Sequence, residues 1–261
     1  MTGQTASQRP RLVLVHGWAQ HAGIWQAWRE RLAPIADMTA VDLPGHGGTP
    51  WKNAIRSLDA LADSVLPALE QPAALCGWSL GGMIAMNLAR RHPSRVTRLV
   101  LCNTTPRFVA GHDWIHAVQP SLVEGFRRRV SENPERVLRD FLSLQLRGES
   151  DSRQTLTLLR SALTDQNRPR AAALEFTLSL LAQTDLRDDL AAIAPPTLVI
   201  ASDADAITPL AAGEYLARQL PDARLLTVTG CGHAGFLSRP ERLSPGLDEF
   251  LGGESVQEMA S

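Results

Sequence analysis

Lysine is almost absent. Lys52 is the only one in 261 residues and sits beside Pro50, Trp51 and Asn53 in a loop context, which argues against Schiff-base chemistry. Cysteine is scarce as well: Cys76, Cys102 and Cys231 are odd in number and share no C-x-x-C spacing. Neither a disulfide framework nor a thiolate metal site is indicated, and buried small hydrophobes are expected. No sign of charge dominates, because 26 Lys and Arg face 27 Asp and Glu for a formal net charge of -1, so no nucleic-acid partner is indicated. No apolar run approaches the roughly 20 residues of a membrane helix. The segment Met1 to Pro10 is polar, without the apolar core of a secretion signal, and a cytoplasmic location is expected.

What is present is an alternation. Apolar runs at Arg11 to Val15, Met38 to Leu43, Ala73 to Trp78, Val96 to Asn103, Pro196 to Ala201 and Arg224 to Thr229 read as strands. Helical patterns at Ile24 to Leu32, Ser57 to Leu69, Leu80 to Arg91, Leu210 to Leu220 and Pro240 to Leu251 separate most of them. This rhythm predicts an α/β fold with a mostly parallel central sheet, helices on both faces, and ligands at the carboxyl ends of the strands. From 105 to 189 the rhythm breaks, no clear strand appears, and helices are expected near Pro120 to Ser131, Pro134 to Leu146, Ser152 to Asp165 and Pro169 to Gln183. The expected organisation is a core of 11–104 and 190–251, an inserted all-helical lid of 105–189, and flexible tails at 1–10 and 252–261.

The run Ala73 to Trp78 ends in Gly77-Trp78-Ser79-Leu80-Gly81 and passes straight into a helix. Gly-x-Ser-x-Gly between a strand and a helix is a nucleophile elbow: the glycines make room for a serine held in strained backbone, and the helix N-terminus favours an oxyanion beside it. Such a serine needs a base. Of the seven histidines, His233 lies in the small-residue loop Gly230 to Gly235 after the last predicted strand, where a ring reaches the strand ends. The base needs an acid, and both Asp203 and Asp205 follow the strand ending at Ala201; two residues apart, spacing does not separate them. Two backbone donors are expected for the oxyanion, Leu80 after the serine and Trp18 after His16-Gly17 at the end of the first strand. The turn Asp42 to Gly47 reads as structural.

With the order serine, aspartate, histidine, these motifs resemble the α/β-hydrolase superfamily over Arg11 to Leu251. Asp205-Ala206-Ile207-Thr208-Pro209 is similar to that family's acid motif, with threonine where many members have an aliphatic residue, so the resemblance points to Asp205. A narrower resemblance rests on Val15 to Trp18, Asp42 to Gly45, Gly77 to Gly82, Leu122 to Phe126, Arg139 to Gln145 and Thr184 to Arg187. Together these look like the pimeloyl-acyl carrier protein methyl ester esterases of biotin synthesis. The resemblance implies a serine esterase with Ser79, His233 and Asp205 as its triad, no metal or organic cofactor, and an acyl carrier protein as partner of a monomer. It implies an apolar substrate wall of Trp18, Trp78 and Phe141, and docking of the acidic carrier on lid arginines, with Arg136 and Arg153 the best matches and Arg139 and Arg160 displaced in register. A general short-chain carboxylesterase, another serine-triad hydrolase, or a non-catalytic binding protein of the same fold are the competing expectations.

Overall fold

The structure, a computed structural model, describes residues 9–149, 152–162 and 167–252. Most of the expected tails therefore lie outside the described residues. Six strands, β1 (Arg11–Val15), β2 (Asp37–Val41), β3 (Ala73–Trp78), β4 (Val96–Cys102), β5 (Thr197–Ser202) and β6 (Ala223–Val228), form one sheet in the order β2-β1-β3-β4-β5-β6. Every pairing is parallel. The interior strands β3 and β5 are buried at all six positions, whereas the edges β2 and β6 are mostly half-buried, as a sheet covered on both faces requires.

Strand alternation divides the interior into two cores. Val13, Val15, Leu75, Leu99, Leu101 and Val199 face one way, against α2 (Leu58–Asp63), α3 (Leu80–Arg91) and α8 (Leu210–Gln219). Leu12, Leu14, Cys76, Val100, Leu198 and Ile200 face the other, against α1 (Gln26–Leu32) and, after the four helices described next, the closing helix. All three cysteines are free and buried, and burial pushes the Cys76 thiol well up, so it behaves as a small hydrophobe.

Between β4 and β5 come α4 (Pro120–Val130), α5 (Pro134–Gln145), α6 (Ser152–Ala162) and α7 (Ala171–Gln183); after β6 follow the short α9 (Gly235–Ser238) and the closing α10 (Pro240–Gly252). Asn133 starts α5 by accepting the Arg136 N–H at 3.0 Å, with Pro134 in the first turn where its missing N–H costs nothing. The stretch 105–189 is not helical throughout. Isolated backbone bridges join Arg107 to Asp185, Val109 to Val118 and Gly111 to Trp114. Asp113 and Asp185 then lock the two ends of the stretch together, with Arg187 at 2.7 Å from each and Arg107 at 2.9 and 3.4 Å. The helix expected over Ser57 to Leu69 divides at Ser64: Ser57 caps α2 by accepting the Ala60 N–H at 3.1 Å, and the part holding Pro67 becomes a separate 3₁₀ turn, Leu66–Leu69. Of the helix expected over Ser152 to Asp165, the last three residues lie outside the described ones. No described helix is long and apolar enough to cross a membrane.

Candidate active site

Ser79 stands between β3 and α3 with φ 56° and ψ -117°, a conformation that costs a side-chain-bearing residue about 1–3 kcal/mol. Close packing holds it there. A Cβ on Gly77 would lie 2.1 Å from the Gly81 carbonyl oxygen, and one on Gly81 would lie 2.3 Å from that of Val15, so any larger residue would push α3 off the sheet. The Ser79 N–H donates to the Cys102 carbonyl at 3.0 Å, and the Thr104 hydroxyl donates to the Ser79 carbonyl at 2.7 Å. The strain is thus offset by two hydrogen bonds, one to the last residue of β4 and one from the Thr104 side chain just beyond it.

His233 and Asp205 meet beside the ends of β5 and β6. The His233 Nδ1 lies 2.8 Å from Asp205 Oδ2, and both side chains are buried. An ionised carboxylate only accepts, so Nδ1 carries a proton, and in the neutral ring Nε2 is the acceptor. That Nε2 is buried and has no partner among the described residues. The histidine backbone is pinned from both sides, its N–H donating to the Gln145 carbonyl at 3.0 Å and its carbonyl accepting from Trp78 Nε1 at 3.0 Å.

Asp205 is saturated with donors. Oδ1 accepts the N–H groups of Ile207 at 2.8 Å and Thr208 at 2.9 Å, while Oδ2 accepts Thr208 Oγ1 at 2.7 Å and Asn103 Nδ2 at 2.9 Å besides the imidazole. Burial pushes the Asp205 carboxyl up, but the His233 charge and hydrogen bond, with those from Thr208 and Asn103, together hold it below its ordinary value. Asp203 is different. It is exposed, and its carboxylate accepts the Gly230 N–H at 2.7 Å, shaping the histidine loop rather than touching the ring. Sequence reasoning missed Asn103 and passed over Thr208. Asn103 has a positive φ of 41° just after β4, a site where asparagine is tolerated, and only the pairing of β4 with β5 brings it to the carboxylate.

Gly17 lies against the serine, since a Cβ there would approach Ser79 Cβ to 3.1 Å. The N–H groups of Trp18 and Leu80, on either side of this contact, find no acceptor among the described residues. His16 shapes the loop: its Nδ1 donates to the Gly17 carbonyl at 2.8 Å and its Nε2 accepts the Leu43 N–H at 3.1 Å. Burial and the neighbouring His46 hold His16 neutral, and burial lowers His46 itself to about 4. The turn Asp42 to Gly47 therefore packs a second buried imidazole, 5.2 Å from the first, beneath the Trp18 loop.

Trp18 and Phe141 do meet, edge to face at 4.7 Å, with Phe126 6.4 Å from Trp18. Together with Phe108, Leu178 and Leu181 they enclose an apolar cavity of only about 10 Å³, scarcely room for one water. Trp78 does not join this wall. Alternation along β3 turns its ring to the opposite core, where it packs on Phe236 at 4.9 Å and beneath His233 at 5.5 Å. The expected arginines fall in two places. A groove of about 250 Å³ between α5 and α6 is lined by Arg139, Arg160 and Arg168 over Leu138 and Leu142, whereas Arg136 and Arg153 are exposed outside it. The helical register favours this, because Arg139 lies three residues from Leu142 on α5. Arg136, Arg153 and Arg160 have no ion-pair partner among the described residues, whereas Arg129 pairs with Asp140 and Arg168 with Glu135.

The family model for the alpha/beta hydrolase fold matches residues 10–240. A pimeloyl-[acyl-carrier protein] methyl ester esterase of Aromatoleum aromaticum is 42% identical over 94% of this chain and 99% of that protein. The protein of the same name from Nitrosomonas europaea is 38% identical over 92% of this chain and 94% of its own length. Among solved structures, a hydrolase from Pseudomonas aeruginosa superposes with a TM-score of 0.78 at 26% identity, covering 96% of this chain and 92% of that one. An esterase from Exiguobacterium antarcticum, at 21% identity and a TM-score of 0.84 over 94% of this chain and 92% of its own, shares the fold.

Proposed function

This chain belongs to the α/β-hydrolase family, in the sequence group of the pimeloyl-[acyl-carrier protein] methyl ester esterases, and on that premise we propose that it is a serine carboxylesterase of biotin synthesis. Its substrate is the methyl ester at the far end of a pimeloyl chain carried by acyl carrier protein; the products are methanol and the free carboxylate, still on the carrier. The observation that carries the serine-hydrolase reading is the buried His233–Asp205 pair, bonded at 2.8 Å, whose Nε2 has no partner among the described residues, together with an elbow serine in strained backbone.

In this mechanism Ser79 Oγ attacks the ester carbonyl as its proton passes to His233 Nε2, and Asp205 holds the resulting imidazolium. The unpaired N–H groups of Trp18 and Leu80 receive the oxyanion. Collapse expels methoxide, which takes the proton from His233 and leaves as methanol. Water then repeats the sequence on the acyl-enzyme. The helices α4 to α7 act as a lid: Trp18, Phe141 and Phe126 part to admit an extended acyl chain, so that its distal ester reaches Ser79 while the thioester stays outside. An acidic carrier docks on the lid through Arg136, Arg153 and Arg160, whose charges are free of acidic partners among the described residues.

Methanol release from methyl-pimeloyl carrier protein tests the proposal, with a short free methyl ester as reference. Wild type is expected to release methanol and spare the thioester, and Ser79→Ala to lower kcat by about 10⁶. Hydrolysis of the small ester without turnover of the carrier-linked one would leave a general short-chain carboxylesterase and discard the biotin assignment.

A further inference from the structure

The run Phe141-Leu142-Ser143-Leu144-Gln145 ends on a residue to which the steps above give no task. Gln145 is 0% exposed, and neither its Oε1 nor its Nε2 has a hydrogen-bond partner among the described residues. A buried amide left so is costly, and a native structure that keeps one calls for a reason. Its position supplies the reason. The Gln145 carbonyl accepts the His233 N–H, and a Cβ on Gly232 would fall 2.7 Å from that same oxygen, so the histidine loop is pressed against the end of α5. On α5, Gln145 follows Phe141, which meets Trp18, by four residues and Leu142 by three, and its buried side chain shares their inward face.

Resting on the serine-esterase reading, we propose that Gln145 is a positioning residue for the second half of the reaction, in which its amide holds the water that attacks the acyl-Ser79 ester. The complementarity is in the acceptors. His233 Nε2 is a buried, unpartnered acceptor, Gln145 Oε1 is another, and a backbone hydrogen bond ties their two segments together. A water bracketed by two acceptors donates one hydrogen bond to each and turns a lone pair to the acyl carbon. As its oxygen bonds to that carbon, one proton passes to His233 Nε2. The carbon–Oγ bond then breaks, and His233 returns the proton to Ser79 Oγ, leaving a carboxylic acid. Gln145 exchanges no proton. Acylation uses Ser79 Oγ in place of water and has no need of the amide, so its loss falls on deacylation alone.

The test is Gln145→Met, close in volume, beside Gln145→Leu, with a p-nitrophenyl ester in rapid-quench and intact-mass measurements. The first release of p-nitrophenol should stay within about twofold of wild type, steady turnover should fall about 10²-fold as for a misplaced reactant, and the quenched variants should carry close to one acyl group on Ser79. Hydroxylamine, which attacks without needing the water's bracket, should restore turnover. Equal losses in the acylation and steady-state rates, or unchanged steady turnover, would overturn the proposal. If wild type and Ser79→Ala turned over alike, the serine-esterase reading itself would fall, and this assignment with it; that result is separate from any seen in the Gln145 variants.

Discussion

Replacing Asp205 by asparagine keeps its size and reverses the direction of one hydrogen bond. Oδ1 faces the backbone N–H groups of Ile207 and Thr208 at 2.8 and 2.9 Å, donors that do not turn, so the oxygen of the new amide must stay there. Its NH₂ then takes the Oδ2 position, 2.8 Å from His233 Nδ1. It has two protons to give, so beside the imidazole it can serve either the Thr208 hydroxyl, rotated to accept, or the Asn103 amide, flipped to do so. Only the imidazole adapts at the expense of chemistry: it must offer a bare Nδ1, which moves its proton to Nε2, the atom that has to take the proton of Ser79. Loss of the carboxylate also leaves the imidazolium without a counter-charge. Together these should lower kcat by about 10⁴, or about 5 kcal/mol of barrier, as the wrong tautomer does in other triads. Asp203→Asn is the control, because its exposed side chain still accepts the Gly230 N–H and turnover should stay within about twofold. Steady-state kinetics on a short free methyl ester, with thermal melting to confirm folding, make the comparison. Turnover of Asp205→Asn within tenfold of wild type, or an equal loss in Asp203→Asn, would refute the assignment.

Ser79→Gly and Ser79→Ala should both be inactive, yet the glycine variant should be the more stable by about 1 kcal/mol in urea unfolding, because only glycine adopts φ 56°, ψ -117° without strain; equal stabilities would mean the elbow is unstrained. His46 is held down to about 4 when folded and titrates near 6.5 when unfolded, so the unfolded chain binds more protons between those values. Stability should therefore fall by about 2 kcal/mol as pH drops from 6.5 to 5, and His46→Gln should remove that share of the slope; a pH-independent unfolding free energy would contradict the burial argument. Reversing Arg136 and Arg153 to Glu should raise KM for carrier-linked substrate at least tenfold and spare a small free ester, with rising salt weakening wild type toward the variant; matched losses on both substrates would argue against electrostatic docking.

Much of the architecture was legible because its causes are local. Six apolar runs became six strands, since a strand covered on both faces must be apolar throughout, and Gly77, Ser79 and Gly81 read as an elbow because a single turn imposes those residue types. Ser57 and Asn133 mark helix starts for the same reason, each closing a bond three residues on. The helix expected through Leu69 failed where Ser64 closes the first turns and Pro67 withholds a donor, a local signal that apolar periodicity masked.

The residue pattern by itself determined the strand order of events along the chain, the serine on its turn and the histidine on its loop, because each depends on neighbours a few residues away. Spacing left Asp203 and Asp205 open and the resemblance pointed to Asp205; the tertiary structure gives the cause, since the two differ by how the chain leaves β5, with the Asp203 N–H still bonded to Val228 and Asp205 turned inward. It also decided that Asn103 joins that carboxylate from β4, that Trp78 supports His233 from the opposite core, and that Arg139 and Arg160 rather than Arg136 and Arg153 line the groove. Each of these is a contact between segments far apart in sequence. The partner of a buried polar group is set by which strands lie side by side and which face of a helix is turned inward, and neither is written in the spacing of residues along one segment.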